Sequence, residues 1–150
     1  MRIFFDFEFD NYEGRYFPIS IGAVREDGCE FHARFQFELR KCSNWVLRNV
    51  IPQLKGVPEC SLAEIRGNLC DLARGEPEFW ANYGAYDWFL MCELFGGLMQ
   101  LPKGWPSYYN ELQMLRRMKG KEEPPDLPQN AHNVLADAHW NKRLYEWCMS

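Results

Sequence analysis

Residues 2–9 alternate so regularly that an extended strand sorts them cleanly: Ile3, Phe5, Phe7 and Phe9 fall on one face, and Phe4, Asp6 and Glu8 on the other. Two further strands follow at once. Tyr16 to Val24 reads as a buried second strand, Glu26-Asp27-Gly28 supplies turn chemistry, and Cys29 to Phe37 reads as a third. Three strands in succession predict an antiparallel meander.

After Ser43 the period changes to that of a helix, with Trp45, Val46, Val50 and Ile51 grouped until Pro52 and the Gly56-Val57-Pro58 break. Ser61 and Glu64 have capping-box spacing ahead of an apolar stripe of Leu62, Ile65, Leu69 and Leu72, and Gly75 marks the stop. Glu78 to Asn82 predicts a short strand, and Tyr86 to Phe95, apolar nearly all round, a buried helix closed by Gly96-Gly97. A helix over about Ser107 to Lys119, a proline-rich loop over Gly120 to Asn130 and a last helix over Ala131 to Cys148 complete the order βββααβααα. One α/β domain spanning 1–150 is expected.

Composition agrees with a single folded unit. The 150 residues are 47% apolar and 16% aromatic, enough for a core. Seventeen Lys and Arg against 21 Asp and Glu leave a formal charge of −4. A chain of this charge approaches phosphates through metal ions or a local basic patch, not through its overall field. The six cysteines form no C-x-x-C pair and are read as reduced thiols. An early carboxylate at Asp6 argues against a signal peptide, and no apolar run approaches the length of a membrane span, so a cytoplasmic protein is expected.

Asp6 and Glu8 project from the same face of a strand that is otherwise Phe and Ile. Two like charges held this close repel unless cations or donors compensate, so the pair reads either as a solvent-facing sheet edge or as a metal site. Asp87 falls where a strand gives way to a buried helix, a place where active-site groups collect in open sheets, although Asp is also among the best N-caps. His132 and Asp137 are five apart and cannot share a helical face. With His132 on the loop and Asp137 one turn inside the last helix, both can point at one cleft. Taken singly, His132 reads as a cap and Asp137 as a first-turn acid favoured by the macrodipole. His32 reads as a strand residue and His139 as helix surface.

Taken together, Asp6-x-Glu8, Asp87, His132 and Asp137 in this order resemble the DEDDh, or DnaQ-like, group of 3′-5′ exonucleases. The similarity is closest to the polyadenylate-specific 3′-exoribonuclease branch called ribonuclease AS. It is carried by Phe5-Asp6-Phe7-Glu8-Phe9, Ile19-Ser20-Ile21-Gly22-Ala23-Val24, Asn44-Trp45-Val46, Tyr83-Gly84-Ala85-Tyr86-Asp87 and His132-Asn133-Val134-Leu135-Ala136-Asp137-Ala138. Where many relatives of the wider group carry His-Asn shortly before the third acid, this chain has Asn82-Tyr83.

The resemblance implies a ribonuclease H-like fold, with a mixed sheet opened by the three-strand meander and flanked by helices. It implies hydrolysis at the 3′ end of single-stranded RNA, with adenosine-rich ends favoured, nucleoside monophosphates released and a homodimer as the assembly. Two Mg²⁺ or Mn²⁺ ions would sit on Asp6, Glu8, Asp87 and Asp137, with Asp6 bridging them and Asp87 acting mainly through water. Four carboxylates and two divalent ions are neutral by formal count, which weakens the objection from net acidity. His132 would be the general base, since an ordinary neutral imidazole accepts a proton near neutral pH. Phe9, then Tyr83 and Tyr86, are the stacking candidates for substrate bases, whereas Trp80 and Trp88 read as core. A DNA or short-oligonucleotide exonuclease, or a catalytically silent nucleic-acid-binding protein, are the alternatives.

Overall fold

Five strands, Arg2–Tyr12 (β1), Arg15–Arg25 (β2), Glu30–Arg34 (β3), Glu78–Ala81 (β4) and Asn110–Glu111 (β5), form one sheet in the order β3-β2-β1-β4-β5. The computed structural model describes residues 1–150. The first three strands pair antiparallel as a meander, while β4 joins β1 and β5 joins β4 in parallel. Five helices accompany the sheet: Asn44–Asn49 (α1), Leu62–Leu72 (α2), Ala85–Leu94 (α3), Leu112–Met118 (α4) and Val134–Met149 (α5). None is long and apolar enough to cross a membrane.

The two faces of β1 serve separate cores. Ile3, Phe5 and Phe7 pack with Ile65 and Leu69 of α2 and with Leu90 and Met91 of α3. On the other face the Phe4 ring lies 5.4 Å from that of Tyr145 in α5, and Leu112, Trp140, Leu144 and Cys148 join α4 to α5. Trp88 is buried and Trp80 packs at the edge of the α4–α5 core, so both indoles are structural. All six cysteines are free thiols. The Ser61–Glu64 capping box forms as its spacing predicts.

Three element ends differ from the sequence expectation, each for a local reason. The third strand stops at Arg34 instead of Phe37: the Phe35 N–H still reaches Ile19 O at 2.9 Å, but Pro18, next along β2, has no N–H to continue the ladder. The helix expected from Ser107 begins only at Leu112, because Asn110 and Glu111 pair with Trp80 and Ala81 as an edge strand. The last helix begins at Val134, not Ala131, since His132 has φ +70 and Asn133 caps the helix by accepting the Ala136 N–H at 3.1 Å.

Helix α5 reaches the sheet at one close contact. Gly22 lies opposite Asp6 in the β1–β2 ladder, and a Cβ there would stand 2.3 Å from Val134 O. Asn141 adds a buried bond from Nδ2 to Phe5 O at 2.9 Å. Gly22→Ala should therefore push α5 off the sheet and destabilise the protein by about 1–3 kcal/mol. Urea unfolding measures this, and an unchanged midpoint would show that the helix seats without the close approach.

Candidate active site

The site forms where β1 outruns β4. Their pairing covers only Arg2, Ile3 and Phe4, so the next backbone groups of β1 need other partners. The Phe5 carbonyl accepts from Asn141, and the Phe7 N–H donates to Asp87 Oδ1 at 2.7 Å. Asp87 therefore closes the open edge of β1 and does not cap its own helix. The N-cap of α3 is Gly84, and Asp87 is a buried first-turn residue.

Glu111 holds that corner in place. Its carboxylate accepts the N–H groups of Tyr83 and Gly84 at 2.9 and 3.1 Å and that of Gln113 at 3.0 Å, tying the start of α3 to the start of α4. Sequence reasoning missed this role, because Glu111 was placed inside a helix. Asn82 is occupied by Gln113, whose Nε2 donates to Asn82 Oδ1 at 2.6 Å.

From the other side α5 contributes Asp137, and the turn before it contributes His132. The His132 N–H donates to Asp137 Oδ2 at 2.8 Å, and its Nδ1 lies 3.3 Å from Glu8 Oε1. Glu8, His132 and Asp137 each offer a ligand atom within 4.8 Å of the others. The His132 ring also meets Trp45 edge-on at 5.0 Å, an indole left half in solvent. Trp45 was read from the sequence as a core-facing helix residue; only its place in the Asn44-Trp45-Val46 match signalled more.

Electrostatically the cluster is uncompensated. Burial pushes Glu8 up to about 8, with Asp137 and then Asp87 adding to the rise. Burial, followed by the charges of Asp87, Glu8 and Asp137, raises Asp6 well above the carboxylate range. Asp87 is raised by burial to about 6 against the opposing Phe7 N–H, and Asp137 is raised by burial against the N–H and charge of His132. No lysine or arginine forms an ion pair with any of the four. A set of hard carboxylate oxygens without a resident cation suits divalent ions of the Mg²⁺ or Mn²⁺ kind.

The aromatic candidates divide. Phe9 and Tyr86 stack with Tyr16, their centroids 5.7 Å apart for Phe9–Tyr86 and 4.7 Å for Tyr16–Tyr86. Tyr16 was not singled out from the sequence, since strand periodicity explains it equally well. Tyr83 stands apart at φ +53, largely exposed and without a ring neighbour. His32 lies on β3, while the surface His139 pairs with Glu30, Nε2 to Oε2 at 2.7 Å.

Comparisons with known proteins give the family and the fold. Residues 1–149 match the family described as the 3′-5′ exoribonuclease Rv2179c-like domain. The 3′-5′ exoribonuclease Rv2179c of Mycobacterium tuberculosis H37Rv is 35% identical over 154 residues, covering 97% of this chain and 91% of that protein. Among solved structures, Escherichia coli exonuclease I in complex with a dT13 oligonucleotide superposes with a TM-score of 0.67 at 14% identity. That match covers 99% of this chain and 41% of exonuclease I, so the chain spans well under half of that enzyme. A second exonuclease I structure gives 0.64 at 15% identity, covering 97% and 40%. The fold is thus that of exonuclease I, a ribonuclease H-like architecture. Matched nearly end to end by the family and by a relative of similar length, the chain belongs to the 3′-5′ exoribonuclease Rv2179c-like domain family and is a 3′-5′ exonuclease.

Proposed function

We propose that the protein removes nucleoside 5′-monophosphates one at a time from the 3′ end of single-stranded RNA, adenosine-rich ends being favoured, with divalent cations and His132 as general base. The observation that carries this reading is the convergence of Asp6, Glu8, Asp87 and Asp137 with His132 at the open end of β1, with burial raising all four acids and the neighbouring acids raising Asp6 and Glu8 further. Two Mg²⁺ or Mn²⁺ ions held by these carboxylates would supply positive charge for the scissile phosphate and the leaving oxygen.

The chain's own residues do the rest. With Nδ1 turned to Glu8, the His132 ring keeps Nε2 for the proton of the attacking water. The water oxygen bonds to phosphorus, the P–O3′ bond breaks, and the shortened strand leaves as a 3′-oxyanion that takes a proton from solvent, while His132 releases to solvent the proton it accepted. Asp137 fixes the backbone of His132, and Trp45 limits the ring's rotation by packing against it. Phe9 and Tyr86 stack the terminal base beside the acids. The family resemblance also supports a homodimer, which sedimentation reports directly.

Asp6→Asn and Asp137→Asn should each abolish hydrolysis of 3′-labelled RNA under saturating Mg²⁺. Neither should lower the melting temperature much, because an amide spares residue 6 the burial of a charge and still leaves residue 137 an oxygen to accept the His132 N–H. Near-wild-type turnover in both variants would end the metal reading. Comparing RNA and DNA homopolymers in the same assay reads the sugar and base preferences.

Cation binding has a pH signature. Folded Glu8 keeps its proton to about pH 8, while the unfolded side chain loses it near 4.5, so its contribution to cation-free stability is intact below about 4.5 and lost as pH rises toward 8. Asp87, raised to about 6, acts with the same sign. Mn²⁺ or Mg²⁺ should therefore raise the melting temperature more at pH 8 than at pH 5. Equal gains at the two pH values would show that cations do not neutralise these groups.

His132→Ala should lower kcat by roughly 10²–10⁴-fold and remove the acid limb of the rate profile while RNA affinity changes little. Persistence of that limb under saturating Mn²⁺ would assign the base elsewhere.

A further inference from the structure

Beyond the Phe9–Tyr86 stack the protein carries two clefts that the chemistry above does not use. One, of about 630 Å³, runs past Tyr12, Phe37 and Lys41; the other, of about 470 Å³, runs past Arg66 and Phe89. Arg15, Tyr16, Pro18, Phe35 and Leu62 line both, so the clefts are two arms of one groove around the end of the β1–β2 hairpin.

The groove adjoins the candidate active site through Tyr16, although none of that site's acids lines it. Tyr16 packs on Tyr86, which adjoins Asp87, and on Phe9, which adjoins Glu8. Tyr12 lies four residues beyond Glu8 on the same strand, about 13 Å at the usual rise. Three cations line the groove against two acids, Glu38 and Glu93, in a chain of net charge −4. Lys41 pairs with Glu38 at 2.6 Å and lies 5.8 Å from the centre of the Tyr12 ring, and Arg66 bonds Leu94 O through Nε at 2.6 Å. Arg15 is exposed and forms no ion pair.

Exposed rings at Tyr12, Tyr16 and Phe89 together with the cations offer what a single-stranded nucleic acid needs: faces for its bases and positive charge for its phosphates. An extended peptide is poorly served by the same surface, because Pro18 interrupts the free edge of β2 and gives no N–H to an added strand. We propose that this groove holds the RNA upstream of the 3′ end, with Arg15 on a phosphate and Tyr12 under a base. The inference rests on the exoribonuclease reading and extends it: substrates long enough to enter the groove are preferred over the shortest ones.

The test pairs binding with turnover. Fluorescence anisotropy of an oligoadenylate of about twelve nucleotides, measured in chelator so that nothing is cleaved, is compared for the wild type, Arg15→Ala and Tyr12→Ala. Each substitution should weaken binding at least about fivefold, and Arg15→Ala should flatten the salt dependence by about 0.7 in log–log slope, the share of one phosphate contact. In Mg²⁺, kcat/KM should fall more for the oligomer than for diadenylate. Unchanged oligomer affinity in both variants would overturn the proposal. So would a change in sedimenting mass for Leu62→Arg alongside Arg15-independent RNA binding, which assigns the groove to a second copy of the chain. If the wild type cleaves neither substrate yet binds the oligomer through Arg15, the groove stands and the exoribonuclease reading falls.

Discussion

The backbone of α5 can approach β2 closely only because residue 22 has no side chain, and the geometry of the site depends on that contact. Val134 O occupies the place of a Cβ on Gly22, directly opposite Asp6. The helix start is thereby pressed against the strand pair that carries Asp6 and Glu8. Asp137 then falls one turn in, over those acids, and His132, itself in a left-handed conformation just before the helix, lies alongside. A side chain at position 22 would separate the two halves of the constellation without touching any of its members.

Local strength elsewhere opposes a local weakness at this point. The four carboxylates converge with only backbone N–H groups and one imidazole to offset them, so the cation-free fold holds them partly protonated against their preference in water. What keeps them together is packing remote from the charge: the Phe5, Phe79 and Trp88 rings beneath β1, the Phe4–Tyr145 contact above it, and the Asn141 bond to Phe5 O. Packing of the scaffold thus fixes the carboxylates, which is the preorganisation that electrostatic catalysis requires.

The elements most legible in the sequence were those whose pattern and punctuation agree. The meander, the capped α2 and the buried α3 follow from period-2 and period-3.6 patterning with turn residues at their ends. The grouping of Asp6, Glu8, Asp87, His132 and Asp137 was legible as well, but through family resemblance; singly, the last three read as helix-end residues. What stayed hidden depends on partners distant in sequence. Glu111 binds N–H groups 27 and 28 residues away, so no local pattern marks it. The early end of β3 follows from a proline on the neighbouring strand, and the stacking of Trp45 on His132 bridges two segments that no periodicity connects.

Alternation divides the labour of β1, which runs unbroken past a register shift at which β2 carries the extra residue, Ile19. Before the shift, Asp6 and Glu8 lie on the face toward α5 and His132. After it, Phe9 turns toward Tyr16 and Tyr86 on the α3 side, and Asp10 is taken up as an acceptor for the Ser43 N–H at 2.6 Å, anchoring the start of α1. The extra residue belongs to β2, and such irregularities collect beside active sites. One continuous strand thus presents a cluster of carboxylates and, immediately beyond, an aromatic surface. Because the acids and the aromatic cluster ride on the same rigid element, the distance between them is set by strand geometry and not by a mobile loop.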